Sequence, residues 1–240
     1  MTDRAVLAHG FTQTARSWAD IQQRLAVLNP DITTTTVDLP GHGTASHLVT
    51  DLWGAANHLV EAGGAGAYVG YSMGGRVALH AALAHPDRVE RLVLIGSTAG
   101  IDDNTERAER RVQDERLADR IEAIGVDAFI DEWLANALFA GLDNESALRE
   151  DRLRNTAEGL ASSLRMCGTG TQESLWDRLD QIRCPTLVLV GESDPKFRAL
   201  GERLVTAIPD SLLTVIVNSG HSVHLEAPQA TAAALSDFLG

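Results

Sequence analysis

The chain has 240 residues, 44% of them hydrophobic, a length that fits one domain able to bury a full core without disulfides. Its formal charge of -13 argues against nucleic acid or an anionic membrane as a general partner, so an anionic small molecule would need a local cluster of arginines. Cys167 and Cys184 show neither C-x-x-C nor metal-ligand spacing, no apolar run reaches membrane-spanning length, and Met1-Thr2-Asp3-Arg4 leads straight into a strand, so a soluble cytoplasmic protein is expected.

In chain order, Ala5-Val6-Leu7-Ala8 reads as a short buried strand, followed by the loop His9-Gly10-Phe11-Thr12. His9 reads as a residue that holds this loop rather than one that does chemistry. Residues 16–28, with Trp18, Ile21, Leu25 and Leu28 at helical spacing, predict a helix stopped by Asn29-Pro30. The β-branched run 33–37 predicts a strand that enters the tight turn Asp38-Leu39-Pro40-Gly41-His42-Gly43. Asp38, His42 and His47 suggest a metal site at first sight, but a proline and two glycines among them favour turn geometry and no metal. A helix is expected over 48–62. The runs 91–96, 186–191 and 212–217 read as further strands, the first two as central parallel ones ending in glycine.

Gly70-Tyr71-Ser72-Met73-Gly74 sits between the apolar run Gly66-Ala67-Tyr68-Val69 and a helical stretch over 75–84. That strand-to-helix context makes G-x-S-x-G a nucleophile elbow, with Ser72 exposed at a strained turn. The N–H groups of Phe11 and Met73 are then placed to form an oxyanion hole. Chain order supplies the partners: Asp194 follows the strand ending near 190, and His221 follows the strand ending near 217. Serine, acid and histidine thus occur in α/β-hydrolase order at the ends of three strands. Glu192 and Asp102 are rivals for the acid, with Asp194 preferred, and His224 is expected to support the histidine loop.

The fold expected is an α/β-hydrolase: a mostly parallel sheet of about six strands flanked by helices, with core segments 1–100 and 171–240. Residues 101–170 form an inserted helical cap, since 102–165 are rich in charge, free of proline and helically spaced around Leu117, Ile121, Ile124, Phe129, Trp133, Leu134 and Leu138.

From His9-Gly10-Phe11 through Gly75-Arg76, Gly159-Leu160-Ala161-Ser162-Ser163-Leu164-Arg165, Gly168-Thr169-Gly170, Ser174-Leu175-Trp176 and Gly191-Glu192-Ser193-Asp194-Pro195-Lys196-Phe197, the chain resembles the 2-succinyl-6-hydroxy-2,4-cyclohexadiene-1-carboxylate synthases of menaquinone biosynthesis. The Gly-Gly-Arg after the serine and the Gly-Thr-Gly before Trp176 are its more specific elements. The resemblance implies a carbon–oxygen lyase, without metal or organic cofactor, that eliminates pyruvate from 2-succinyl-5-enolpyruvyl-6-hydroxy-3-cyclohexene-1-carboxylate. It implies that Ser72, His221 and Asp194 act together as a base. It also matches Tyr71 and Trp133 to pocket positions and places Arg110 and Arg152 over the substrate, with Arg107, Arg111 and Arg154 close enough in sequence to exchange with them. Lys196 and Phe197 fit the family's loop pattern and receive no role.

Arg76 has a separate physical basis, because four residues after Ser72 on one helix it lies about one turn away, within reach of a common ligand. A guanidinium there suits a polycarboxylate substrate. The alternatives are a serine hydrolase acting on esters or carbon–carbon bonds and, more remotely, a non-catalytic binding protein. A monomer or small homo-oligomer is expected.

Overall fold

A computed structural model describes residues 4–240, so the reading of Met1-Thr2-Asp3 lies outside the described residues. Six strands, β1 (Arg4–Ala8), β2 (Thr33–Val37), β3 (Gly66–Tyr71), β4 (Val89–Ile95), β5 (Thr186–Gly191) and β6 (Ser211–Ile216), form one sheet in the order β2-β1-β3-β4-β5-β6. Every pairing is parallel, as the glycine-ended apolar runs predict. The register Ala8↔Gly70, Tyr71↔Ile95 and Gly191↔Ile216 aligns the C-terminal ends of five strands along one edge, and the loops leaving that edge carry the site.

Alternation along the strands makes two apolar layers. Val6, Tyr68, Leu92, Leu94 and Val188 face one side, where α2 (Leu52–Gly63), α3 (Met73–Ala84) and α7 (Pro195–Ala207) cover them. Leu7, Val69, Val93, Ile95 and Leu189 face the other, against Ile21 and Leu25 of α1 (Ala19–Leu28) and Leu235 and Leu239 of α9 (Pro228–Leu239). Each fully buried leucine or valine of this kind contributes about 1.5–3 kcal/mol relative to an exposed one. The central strands are therefore fixed from both faces.

Element ends differ from the sequence reading where a cap intervenes. The stretch 16–28 divides into a 3-10 turn (Ala15–Trp18), capped by Thr14 accepting from Arg16 N–H, and α1. Helix α2 begins at Leu52 rather than 48 because the Asp51 carboxylate accepts from Gly54 N–H at 2.9 Å. Val217 falls outside β6.

Between β4 and β5 come α4 (Asn104–Leu134), α5 (Arg149–Arg152) and α6 (Ala157–Cys167), with the short α8 (Val223–Glu226) after β6. Helix α4 is interrupted at Gly125, whose φ of 78° leaves the helical region. Ala118, Ile121, Phe129 and Ile130 of α4 pack on Leu160, Ala161 and Leu164 of α6, and Phe11 joins this third cluster from the loop after β1. Many of the acidic residues of this region are engaged outside the site: Arg165 meets Glu115, Asp119 and Glu122, and Arg149 meets Asp127 and Asp131, all at 2.7–2.8 Å. Among the described residues no helix is long and apolar enough to cross a membrane.

Candidate active site

Ser72 joins β3 to α3 at φ 51° and ψ -107°, a left-handed conformation that non-glycine residues rarely adopt. The turn closes only because glycines flank it. A Cβ on Gly70 would run into the Gly74 carbonyl, and one on Gly74 would run into the Ala8 carbonyl of the neighbouring strand. The serine's own N–H is anchored to Ile95 O at 2.8 Å, and its carbonyl accepts from Ser97 Oγ at 3.1 Å. Its hydroxyl is thereby presented above the sheet.

The loops after β5 and β6 meet it there. Ser72 Oγ lies 3.3 Å from His221 Nε2, and His221 Nδ1–H donates to Asp194 Oδ2 at 2.9 Å. This assignment leaves Nε2 unprotonated and able to accept the serine proton. Asp194 also caps α7, its Oδ1 accepting from Phe197 N–H at 3.2 Å. Burial pushes its carboxyl up, but the His221 and Phe197 hydrogen bonds outweigh burial and hold it below the usual carboxylate range. The His221 loop is fixed by Glu226, which accepts from Gly220 N–H at 2.6 Å and Ser222 N–H at 2.8 Å.

The rival acids lie elsewhere. Asp102 binds Ser174 Oγ and Arg203, and Glu192 accepts from Asn218 N–H. His224 is buried against Tyr71, with ring centroids 4.2 Å apart, and burial keeps its pKa well below the ordinary value. His9 donates Nδ1–H to Gly10 O and accepts Leu39 N–H, so both its nitrogens brace the loop after β1. Backbone groups likewise occupy both nitrogens of His42, and among the described residues no group of three or more His, Cys, Asp or Glu could hold a metal.

Above Ser72 lies a cavity of about 180 Å³. Phe11 and Met73 line it, and Met73 opens α3, where first-turn N–H groups have no intrahelical acceptor. Arg76, Arg110 and Lys196 also line it, and no aspartate or glutamate does. Arg76 is 7% exposed and donates Nη1–H to Cys167 O at 2.6 Å and Gln172 Oε1 at 3.2 Å, both neutral acceptors. Burial lowers its pKa to about 10, which leaves it charged near neutrality. Arg110 is held through Nε by Asp114 at 2.7 Å. Trp133 reaches the wall from α4 and packs on Phe11, Phe129 and Phe139, and its buried indole N–H has no protein acceptor.

Two residues expected against the substrate are not on this wall. Arg152 is 1% exposed, with Nη1 on Thr12 Oγ1 and Nε on Ala147 O at 2.8 Å. The reason is the clamp between α5 and the loop after β1: Asp151 accepts from Thr14 Oγ, and Asn155 Nδ2–H donates to Thr12 O. Tyr71 is buried beneath the histidines, its hydroxyl 2.6 Å from Ser222 Oγ. Arg107, Arg111 and Arg154 are also absent from the wall.

Sequence reasoning gave no role to Lys196, which the structure puts at the cavity rim, or to Ser97, Thr98 and Thr169, whose residues line it. Lys196 could have been found from its position in the first turn after the cap Asp194. The threonines and serine carry no local signal.

A model of the alpha/beta hydrolase family matches residues 5–234. A Bacillus subtilis (strain 168) protein, provisionally named as a 2-succinyl-6-hydroxy-2,4-cyclohexadiene-1-carboxylate synthase, is 35% identical over 99% of this chain and 90% of its own length. The synthase of that name from Serratia proteamaculans (strain 568) is 30% identical, covering 96% of this chain and 91% of its own. The solved structure of MenH from S. aureus superposes with a TM-score of 0.88 at 29% identity, covering all of this chain and 94% of that one. With the elbow, the parallel sheet and full-length similarity in agreement, the chain belongs to the alpha/beta hydrolase family and, within it, to the 2-succinyl-6-hydroxy-2,4-cyclohexadiene-1-carboxylate synthases.

Proposed function

We propose that the protein is a carbon–oxygen lyase that converts 2-succinyl-5-enolpyruvyl-6-hydroxy-3-cyclohexene-1-carboxylate to 2-succinyl-6-hydroxy-2,4-cyclohexadiene-1-carboxylate and pyruvate. The observation that carries this reading is Arg76, a buried guanidinium held only by neutral acceptors and lining one cavity with Ser72 and no acidic side chain. A neutral ester has no use for such a group, whereas each carboxylate of this substrate can take charge-assisted hydrogen bonds from it or from Arg110 and Lys196.

In this reading Ser72 Oγ removes the proton from the ring carbon beside the succinyl carbonyl while its own hydroxyl proton moves to His221 Nε2. Asp194 fixes the imidazole tautomer and stabilises its cation. The Phe11 and Met73 N–H groups hold the negative charge that develops on the succinyl oxygen. As the ring diene forms, the ring carbon–oxygen bond breaks and pyruvate leaves as its enolate, which gains one proton at its methylene carbon to become pyruvate while His221 gives up the one it took. No acyl-enzyme forms.

Residues 101–170 act as the lid and 1–100 with 171–240 as the core. Arg152 serves this site by bracing the Phe11 loop from behind. The two free, buried cysteines fit a cytoplasmic protein, and the net charge of -13 fits one that binds neither nucleic acid nor anionic membranes.

The same Ser72, His221 and Asp194 geometry could serve a serine hydrolase, so the test compares the two chemistries on purified protein. Pyruvate release from the enolpyruvyl substrate, coupled to reduction by lactate dehydrogenase, should far exceed cleavage of p-nitrophenyl acetate. The reverse order would assign the site to an esterase.

A further inference from the structure

The Gly168-Thr169-Gly170 segment is distinctive in the sequence, yet the proton transfer makes no use of it. It leaves the end of α6 and is wedged between α4 and α3. A Cβ at Gly170 would stand 2.7 Å from the Arg110 carbonyl carbon and collide with Arg111 N, and a Cβ at Gly168 would stand 2.6 Å from Asp114 Oδ2. Only glycine lets this strand of chain lie so close to the lid helix.

From that position the segment reaches both arginines of the cavity. On one side Gly170 N–H donates to Asp114 Oδ2 at 3.0 Å, and Asp114 Oδ1 accepts from Arg110 Nε at 2.7 Å. On the other, Cys167 O and Gln172 Oε1 accept from Arg76 Nη1. Gln172 is 2% exposed, and its Nε2 has no acceptor in the protein. The amide thus gives its oxygen to the guanidinium and leaves its N–H without a protein partner, an orientation selected by the contact with Arg76.

The choice of an amide has a further consequence. Several arginines of this acidic chain meet carboxylates, Arg165 and Arg149 three each and Arg120 and Arg203 one each. Arg4, Arg91 and Arg152 donate to neutral oxygens as Arg76 does, but of these four Arg76 alone lines the cavity. At Arg76 the two acceptors are a carbonyl and a carboxamide, which orient the fork without cancelling its charge. A glutamate of the same length would orient it equally well and neutralise it.

We propose that Gln172 is a positioning residue, which, with the strap from Gly168 to Gly170, fixes the Arg76 guanidinium, to which no carboxylate of the described residues is hydrogen-bonded, as a seat for a substrate carboxylate and sets its spacing to Arg110. The inference rests on the lyase reading for the identity of the substrate, but the seat itself is a carboxylate site whatever the reaction.

The test uses the full-length protein with Gln172→Glu and Gln172→Met, reading succinate affinity by calorimetry, lyase KM and kcat by pyruvate release, and the melting temperature. Gln172→Glu should weaken succinate and raise KM by about tenfold or more, with a smaller change in kcat and an unchanged or higher melting temperature. Gln172→Met, which removes the acceptor but leaves the charge, should lose clearly less affinity. Wild-type protein that does not bind succinate, a glutamate variant that binds it as well as wild type, or two variants that lose affinity equally and in step with melting temperature would each overturn the proposal. Succinate binding without any pyruvate release would instead remove the lyase reading and leave the seat standing.

Discussion

Gly96, at the end of β4, lies directly beneath the ring of His221: a Cβ on it would stand 3.0 Å from Cε1 and 3.1 Å from Nδ1. Its φ of 53° is also one that other residues adopt only with strain. The distance between the imidazole and Ser72 is thus set partly by a missing side chain on a strand that contributes no chemical group. Gly96→Ala should cost about 1–2 kcal/mol of stability from backbone strain and lower kcat by a larger factor than that loss alone predicts, because the imidazole is pushed from its partner. Denaturant unfolding and steady-state kinetics on the same preparation would check this, and unchanged kcat would contradict it.

Replacing Ser72 or His221 with alanine should reduce pyruvate release by roughly a hundredfold to ten-thousandfold, the range for loss of a positioned general base. Folding should survive Ser72→Ala, since alanine carries the same positive-φ strain as serine and the position is anchored through its own backbone N–H and carbonyl. Asp194→Asn keeps the cap on α7 but offers Nδ1 of His221 the wrong partner for its tautomer, so kcat should fall with little change in KM. Equal losses in kcat and KM would count against a role confined to the proton transfer.

Much of this was legible in sequence for a physical reason. The stretches 66–71, 92–95 and 186–191 are buried on both faces, so their apolar runs are continuous, and the elbow glycines are dictated by local backbone contacts. Ser72, Asp194 and His221 could be read because each follows a recognisable strand. Arg152 could not, because its direction is decided by Thr12 and Ala147, one of them 140 residues away. The link from Gln172 to Arg76 spans 96 residues and leaves no periodic trace. The break of α4 at Gly125 is equally silent: a Cβ there would meet nothing within 4 Å, so only its φ of 78° marks it.

Arg76→Ala should cut kcat/KM for the polycarboxylate substrate by roughly thirtyfold to a thousandfold, the equivalent of about 2–4 kcal/mol for a buried charge-assisted contact. Cleavage of a neutral ester should change much less. The variant also strands the Cys167 carbonyl and the Gln172 amide, so about 1–3 kcal/mol of stability should be lost with it. Parallel kinetics on the two substrates separate these effects, and equal losses would argue against carboxylate binding.

Acid should destabilise the protein through its buried histidines, with an onset above the range in which its carboxylates titrate. Burial lowers His80 from 6.5 to about 4 and His42 from 6.5 to about 3, and each ring stays neutral in the fold with Nδ1–H donating to a carbonyl. Because the unfolded chain binds those protons more readily, their contribution is fully present above pH 6.5 and is lost as pH falls through the folded values near 4 and 3. For His80 this amounts to something on the order of 3 kcal/mol. Melting temperature should therefore decline across that window, and His80→Gln should decline less steeply. An identical slope in wild type and variant would refute the assignment.

The central claim, that Ser72 acts as a base and not as an acyl acceptor, is tested most directly by the deuterium isotope effect on pyruvate release in single turnover, with the label on the ring carbon beside the succinyl carbonyl and intact-mass measurement of the protein during the reaction. The account predicts a rate clearly slowed by deuterium and a protein mass that never rises. A rate indifferent to deuterium together with a substrate-derived adduct on Ser72 would contradict it.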